Sequence, residues 1–276
     1  MESQGDLCSK DSGQSGSTAM PGRILRTRDN VFDCPVFILT ADVDWASDYC
    51  IDTLASFTHE RGITPTLFIT HDSPAITALR AQGRIECGIH PNFLPGSSHG
   101  ETTEAVIDHI MSVVPQPVAM RCHHYAENSE ISHMLAATGV RVDSNVCLFL
   151  QPALKPLYHW SGLIRLPCFW EDDVHWERGF AWNFDRLRNA FFSPGLKLLN
   201  VHPFMFALNI PDEVFYARHK DYISMLDALS AGRLRFSGQG SASFLTEMID
   251  AVHGEGLRFI TMRDLIADLD MEWIEP

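Results

Sequence analysis

Residues 36–44 read Val-Phe-Ile-Leu-Thr-Ala-Asp-Val-Asp. The apolar part of this stretch predicts a fully buried strand, and two carboxylates, Asp42 and Asp44, stand at its end. In parallel α/β folds, the crevice beyond the carboxyl ends of the strands collects catalytic and metal-binding groups. Because side chains alternate along a strand, both carboxylates point to the same side. They repel each other there unless a metal, a proton or an arginine compensates.

Composition and charge exclude several classes of partner. The 276 residues carry a formal charge of −14, and the pI is about 5.3. This charge argues against nucleic acid or an anionic membrane surface as the main partner. No apolar run approaches the roughly 18 residues of a transmembrane segment, and the polar N-terminus lacks the pattern of a secretory signal. Since the seven cysteines show no paired spacing, we expect a cytoplasmic protein with free thiols.

Strand-like and helix-like segments alternate after a polar stretch at residues 1–30, which we expect to be a flexible tail. Strands are expected at 36–41, 66–69, 85–89, 118–121, 140–143, 164–168, 196–201 and 257–261. Helices are expected at 48–61, 74–82, 102–113, 129–138, 213–230, 243–253 and 262–269. Such alternation predicts parallel β/α units, here forming one α/β barrel domain, complete or distorted, over residues 31–276.

The segment 169–194 is irregular and rich in tryptophan and acidic residues. Long structureless segments in compact domains are often functional lids or rims. The tryptophans between Trp170 and Trp182 could stack on sugar rings or simply pack at the rim.

Two imidazoles share the loop after the expected strand 85–89. His90 follows the strand directly, and His99 lies further along the same loop. With Asp44 they would form a set of two histidines and one carboxylate, a common catalytic geometry for Zn²⁺ that leaves a position for water. Such a metal would compensate the carboxylate pair and leave Asp42 free as a base.

Three more expected strand ends carry reactive groups. Arg121 could pair with a catalytic carboxylate and keep it ionised. The acidic run that includes Asp173 closes another strand, and His202 at the end of a third could act as a general acid. Each residue alone has an ordinary structural explanation, but their coincidence at strand ends favours one hydrolytic metal site.

One motif points to a different chemistry. Residues 96–100 match G-x-S-x-G, the nucleophile elbow of serine hydrolases, with Ser98 as the nucleophile. The elbow requires a sharp turn directly from a strand into a helix. Six loop residues separate the expected strand from Gly96, so a serine esterase is the weaker alternative.

Taken in order, these motifs resemble the polysaccharide deacetylases of the NodB-homology family, which are metal-dependent N- or O-deacetylases on a distorted (β/α)₇ barrel. The family's first motif, usually Thr-Phe-Asp-Asp-Gly, corresponds to residues 40–44. The resemblance implies that Asp42 is the base and that Asp44, His90 and His99 hold the metal. It implies further catalytic roles for Arg121, which orients the base, and for Asp173 and His202. It implies a substrate-binding surface made of Trp45, His123, His124, Trp176 and Leu199.

The resemblance also implies the reaction. It indicates removal of an acyl group, N-acetyl first, from an amino-sugar or polysaccharide precursor, with zinc as the first choice of metal and cobalt, nickel or iron as others. The loop His-Pro-Asn-Phe-Leu-Pro-Gly-Ser-Ser-His-Gly at 90–100 is similar to the WbmS-like subgroup of surface-polysaccharide clusters. Hydrolysis of a non-sugar amide and glycan binding without catalysis are the other interpretations.

The chain departs from the family pattern at the second motif. The family's two histidines stand three or four residues apart, whereas eight residues separate His90 and His99. The third ligand is therefore open between His99 and Asn92, His123 or His124. A tryptophan, Trp45, also stands where the family usually has glycine after the first motif.

Overall fold

The computed structural model describes residues 23–25, 31–269 and 271–273. Of the expected tail over residues 1–30, the described part is Arg23–Leu25, a strand that pairs antiparallel with Met271–Trp273. The rest of that prediction lies outside the described residues, and the division into a tail and one domain stays a prediction. Over the described ranges, no helix combines the length and the apolar character needed to cross a membrane.

The strands and helices follow one another in the order that the sequence pattern predicted. The strands of the described ranges are β1 (Arg23–Leu25), β2 (Pro35–Asp42), β3 (Thr66–Ile69), β4 (Glu86–Ile89), β5 (Val142–Asp143), β6 (Leu157–Tyr158), β7 (Ile164–Arg165), β8 (Cys168–Glu171), β9 (Gly195–Val201) and β10 (Met271–Trp273). The α-helices there are α1 (Asp48–Glu60), α2 (Pro74–Ala81), α3 (Thr103–Val113), α4 (Ser129–Ala137), α5 (Asp172–Glu177), α6 (Arg188–Phe191), α7 (Pro203–Leu208), α8 (Glu213–His219), α9 (Ala228–Leu234), α10 (Ser241–Gly254) and α11 (Met262–Asp268).

A parallel sheet with the strand order β4-β3-β2-β9-β8 forms the centre of the fold, and helices surround it. Beyond its edges, isolated bridges replace continuous pairing and join Ile89 to Met120, Met120 to Asp143, and Cys147 to Cys168. Continuous pairing therefore does not close a barrel. The fold is the expected α/β class, with the sheet most regular around β2 and β9.

Local sequence explains the central strand and the helix starts. Residues 37–42 of β2 are all buried, which is why the strand reads as an uninterrupted apolar run. Side-chain caps begin the first helices: the hydroxyl oxygens of Ser47, Ser73 and Thr102 accept hydrogen bonds from amides in the first turns of α1, α2 and α3. Pro74 follows Ser73 directly at a position where its missing N–H costs nothing.

Several predicted elements are shorter than expected or divided. The helix predicted over 213–230 is two helices, α8 and α9, joined by a 3₁₀ turn at Lys220–Tyr222 and a short loop. The side chain of Asp227 accepts from the amide of Ser230 and starts α9 anew, because an aspartate cap favours a helix start over continuation. In place of the strands expected at 118–121 and 257–261, one residue of each segment, Met120 or Phe259, forms isolated β-bridges.

Part of the segment predicted as an irregular rim belongs to the core. It contains β8, α5 and α6, and Trp170 and Trp182 are buried against the ring of Phe244. The indole N–H of Trp170 donates to Nδ1 of buried His175 at 3.0 Å, and burial lowers the pKa of His175 to about 4. Trp170 and Trp182 are thus core residues, and the sugar-stacking role considered for them is wrong.

We expect Gly88→Ala to lower the free energy of unfolding by about 1–3 kcal/mol. A Cβ at residue 88 would lie 2.7 Å from the ring of Phe68 and 2.9 Å from the carbonyl oxygen of Ala119. Urea denaturation measures the loss. The matched control is Gly232→Ala in α9, where an added Cβ meets nothing within 4 Å and where alanine favours the helix. Equal stability of the two variants would contradict this packing argument.

Candidate active site

Parallel strands deliver polar side chains to one edge of the sheet. Asp42 ends β2, His90 follows β4, Glu171 ends β8 and His202 follows β9. Because the strands run the same way, their carboxyl ends lie side by side. Asp42 and His202, which are 160 positions apart in the sequence, thereby become part of one site.

Three candidate ligand atoms form a compact triangle. Oδ1 of Asp44 lies 3.1 Å from Nε2 of His90 and 3.0 Å from Nδ1 of His123. The two imidazole nitrogens are 3.3 Å apart. Asp44 follows β2, and His123 opens a 3₁₀ turn at His123–Tyr125, so the triangle joins three separate loops.

A divalent metal fits this triangle. Ligand atoms at roughly 2.0–2.1 Å from a tetrahedral ion stand about 3.3 Å apart, close to the observed edges. Oδ1 of Asp44 is shielded from solvent. None of the described residues donates a hydrogen bond of normal geometry to it. Burial alone would raise the pKa of Asp44, but His123 and His90 outweigh burial and hold this pKa well below its ordinary value.

His99 lies outside the triangle, contrary to its expected role as the third ligand. Asp44, His90 and His123 form one of four groups of described residues whose ligand atoms lie within 4.8 Å of one another, and His99 belongs to none of the four. Nδ1 of His99 accepts from the amide of Asn92 at 3.2 Å, and its ring stacks on that of His109. Burial and the neighbouring His109 lower the pKa of His99 to about 4. His99 therefore orders its own loop, and His123, which spacing had left open, completes the set.

Arg121 holds Asp42. Nη1 of Arg121 donates to Oδ1 of Asp42 at 2.8 Å, and both side chains are buried. Burial alone would raise the pKa of Asp42, but the charge of Arg121, with smaller effects of His90 and His202, lowers it. The ion pair with Arg121 keeps Asp42 ionised beside the triangle, at the position that the sequence pattern predicted for the base.

His202 is oriented by Asp172, which sequence reasoning missed. Asp172 accepts from Nδ1 of His202 at 2.7 Å and from its backbone N–H at 2.9 Å. Nε2 of His202 is left facing the site, 3.7 Å from Asp44. Burial would lower the pKa of His202, but Asp172 outweighs it and raises this pKa well above its ordinary value. The resemblance to the deacetylase family pointed instead to Asp173, one residue further along the same acidic run. Residues 173–176 match the family's Asp-x-x-Trp motif.

Glu171 is a second missed residue. Its buried carboxyl accepts from the hydroxyl of Tyr125 and from the side-chain amide of Asn200. Its oxygen lies within 4.8 Å of ligand atoms of Asp42 and His202. Burial and the charge of Asp42 raise the pKa of Glu171.

Two loops of the site have left-handed backbone. Asp44 and Trp45 have φ of 46° and 58°, and His124 and Tyr125 have φ of 55° and 53°. Residues other than glycine rarely adopt this conformation, and such strain persists where surrounding contacts hold it. The conformation of Trp45 shows why glycine suits this position, and the ring of Trp45 packs edge-on against the ring of His123.

Two adjoining spaces open at this edge of the sheet. A catalytic pocket of about 180 Å³ has Asp42, His90 and Glu171 in its wall. An apolar cavity of about 610 Å³ has Trp45 and Trp176 in its wall. Their shared lining residues include Asp44, Asp173 and both members of the His123–His124 pair.

Leu199, expected in the substrate surface, belongs to neither wall. It is fully buried in β9, where β2 and β8 flank it, because residues of a central strand are covered on both sides. Ser98, the alternative nucleophile, is exposed in an irregular loop before α3. It does not stand at a turn from strand to helix, so the elbow geometry is not formed.

Comparisons with known proteins give a family match and structural neighbours. A family model described as WbmS-like polysaccharide deacetylase matches residues 39–220. A Bordetella bronchiseptica structure described as a polysaccharide deacetylase involved in O-antigen biosynthesis is 27% identical, with a TM-score of 0.71, and the match covers 78% of this chain and 90% of that one. A family 4 carbohydrate esterase from Bacillus anthracis is 14% identical with a TM-score of 0.43, covering 84% and 82% of the two chains. No curated protein sequence matches.

The triangle predicts which histidine binds metal. After dialysis against zinc, His123→Ala should lose most of the bound metal, as should Asp44→Ala, because each removes one corner of the triangle. His99→Ala should keep its metal, since its ring lies outside. Elemental analysis of the dialysed proteins decides. Metal loss in His99→Ala together with retention in His123→Ala would restore His99 as the third ligand.

Proposed function

The chain belongs to the WbmS-like polysaccharide deacetylase family, and we propose that it is a metal-dependent hydrolase that removes an acyl group from an amino-sugar-containing precursor of a surface polysaccharide. N-acetyl is the group that the family resemblance implies. The Bordetella bronchiseptica protein, described as acting in O-antigen biosynthesis, supports this substrate class. One observation carries the proposal: a ligand triangle, a carboxylate held by arginine and a histidine held by aspartate converge on one pocket.

Asp44, His90 and His123 would hold the divalent metal, zinc first. When bound, this ion polarises the acyl carbonyl and water. The choice of ion follows from the donors, since one carboxylate and two imidazoles suit Zn²⁺, Co²⁺, Ni²⁺ and Fe²⁺.

Asp42 acts as the general base. It is ionised because Arg121 lies 2.8 Å away, and it lines the catalytic pocket beside Asp44. Asp42 takes the proton of the attacking water, while Arg121 keeps the carboxylate in place and cannot itself give up a proton.

His202 acts as the general acid. Asp172 holds it through Nδ1 and favours the protonated ring, so Nε2 carries a proton toward the pocket. From there His202 protonates the leaving amine. We expect a backbone N–H near His123 to hold the oxyanion that forms in the reaction. The amide of His123 itself is not that donor, because it donates to the carbonyl of Pro91 at 2.9 Å.

Chelation and substitution separate this proposal from its rivals. With an N-acetylated amino sugar, chelator should abolish amine release, and added zinc should restore it. Asp42→Asn should keep its metal and lose activity by roughly 100-fold or more, because the base is missing. Ser98→Ala should behave as the parent protein.

A chelator-resistant activity lost in Ser98→Ala would establish the serine esterase instead. Glycan binding without any amine release in the metal-loaded parent protein would establish a non-catalytic binding protein.

We expect Asp172→Asn to lower kcat by roughly 100-fold or more while KM and metal content stay close to those of the parent protein. The amide cannot favour the protonated form of His202, although it can still occupy the same space. Steady-state kinetics and elemental analysis are the measurements. The matched variant is Asp173→Asn, whose side chain accepts from the amide of Val174, and the smaller loss is expected there. The opposite ranking would return the role to Asp173.

A further inference from the structure

The apolar cavity is too large for an acetyl group. Its volume of about 610 Å³ lies within the roughly 300–1,000 Å³ of sites that hold drug-sized ligands. The catalytic pocket beside it, about 180 Å³, is the space in which the bond that breaks meets Asp42 and the ligand triangle. The larger cavity therefore receives another part of the substrate.

The two spaces differ in chemistry. Apart from the residues that it shares with the catalytic pocket, the wall of the apolar cavity consists of Val43, Trp45, Trp176, Phe204, Met205, Tyr216, Ile223 and Ser224. Ser224, the hydroxyl of Tyr216 and the indole N–H groups of Trp45 and Trp176 are the polar groups in that set. A sugar ring carries a hydroxyl on most carbons, and each buried hydroxyl needs a partner. This wall suits an apolar group.

The wall is packed before any substrate arrives. Phe204 and Met205 are almost completely buried. The ring of Tyr216 meets that of Trp176 edge-on, with 5.3 Å between ring centroids, and also packs against the ring of Phe204. Trp45, which stands where the family usually has glycine, also lines the cavity. A preformed apolar wall binds an apolar group without the cost of ordering side chains.

The position of the cavity decides which part of the substrate enters it. Asp44, His123 and His202 line both spaces, so a group in the apolar cavity is attached close to the bond that breaks. The hydroxyl-bearing amine is matched by the polar residues that the two spaces share, Asp173 and Glu177 among them. The acyl group is then the part left for the apolar cavity.

We infer that this enzyme removes an apolar acyl group larger than acetyl, of roughly four carbons or more, and that the apolar cavity is its acyl-binding site. The inference rests on the proposed function and names its substrate class. In the reaction the oxygen of water bonds to the acyl carbon and the carbon–nitrogen bond breaks. Asp42 receives the proton of water, His202 donates one to the amine, and the products are a fatty or branched carboxylate and a free amino sugar.

The test is a chain-length series on glucosamine with N-acetyl, N-butyryl and N-hexanoyl groups, using the zinc-loaded protein and measuring amine release. Each buried methylene contributes roughly fourfold, so kcat/KM should rise at least tenfold from acetyl to butyryl or hexanoyl. Ile223→Trp fills the cavity and should lower kcat/KM for the butyryl and hexanoyl substrates to the value for acetyl or below. The matched control, Val214→Trp, places the same ring on an exposed site of α8 and should keep the parent preference.

Titration calorimetry with the Asp42→Asn protein gives a second readout that needs no turnover. N-hexanoylglucosamine should bind at least tenfold more tightly than N-acetylglucosamine, and Ile223→Trp should abolish the difference. Equal binding, or kcat/KM highest for acetyl, would overturn the inference and leave the proposed function standing. Amine release from none of the substrates would overturn the proposed function, and calorimetry would still decide for or against the acyl site.

Discussion

A buried ion pair between Arg121 and Asp42 is the interaction on which the active site depends. The two side chains lie 2.8 Å apart and are both shielded from solvent. Removing one partner of such a pair leaves an uncompensated charge and costs about 3–5 kcal/mol. The pair also separates the roles of two neighbouring carboxylates. Because Arg121 compensates Asp42, the imidazoles of His90 and His123 are left to compensate Asp44, and that assembly is the ligand triangle.

The ion pair rests in turn on the packing beneath it. The guanidinium of Arg121 lies over the ring of Phe68, 4.3 Å from its centroid, and donates to the hydroxyl of Ser144 at 2.8 Å. Phe68 can occupy this place because Gly88 on the neighbouring strand has no side chain. A glycine in a strand thereby sets the position of a catalytic arginine. Above this layer lie the catalytic pocket and the apolar cavity, which share part of their lining.

The sequence by itself determined the α/β class, the order of the elements and most of the polar residues that meet at the sheet edge. These features have local causes. An apolar run of six to eight residues predicts a buried strand, a serine or threonine cap predicts a helix start, and a parallel sheet gathers its carboxyl ends at one edge. For that reason Asp42, Asp44, His90, Arg121 and His202 were all recognisable from their places after expected strands.

Tertiary structure alone decided which neighbours these residues have. The loop shared with His90 and the family resemblance favoured His99 as a ligand, but the fold brings His123 to Asp44 from a loop about 80 positions away. Likewise, the fold makes Asp172, and not Asp173, the hydrogen-bond partner of His202. The two aspartates are adjacent at the start of α5, so their side chains leave the helix in different directions and only one of them faces β9. A sequence pattern shows how side chains are spaced along one strand or helix. A metal-ligand set depends instead on distances of about 3 Å between ligand atoms of residues on separate loops. Packing of the whole sheet sets those distances.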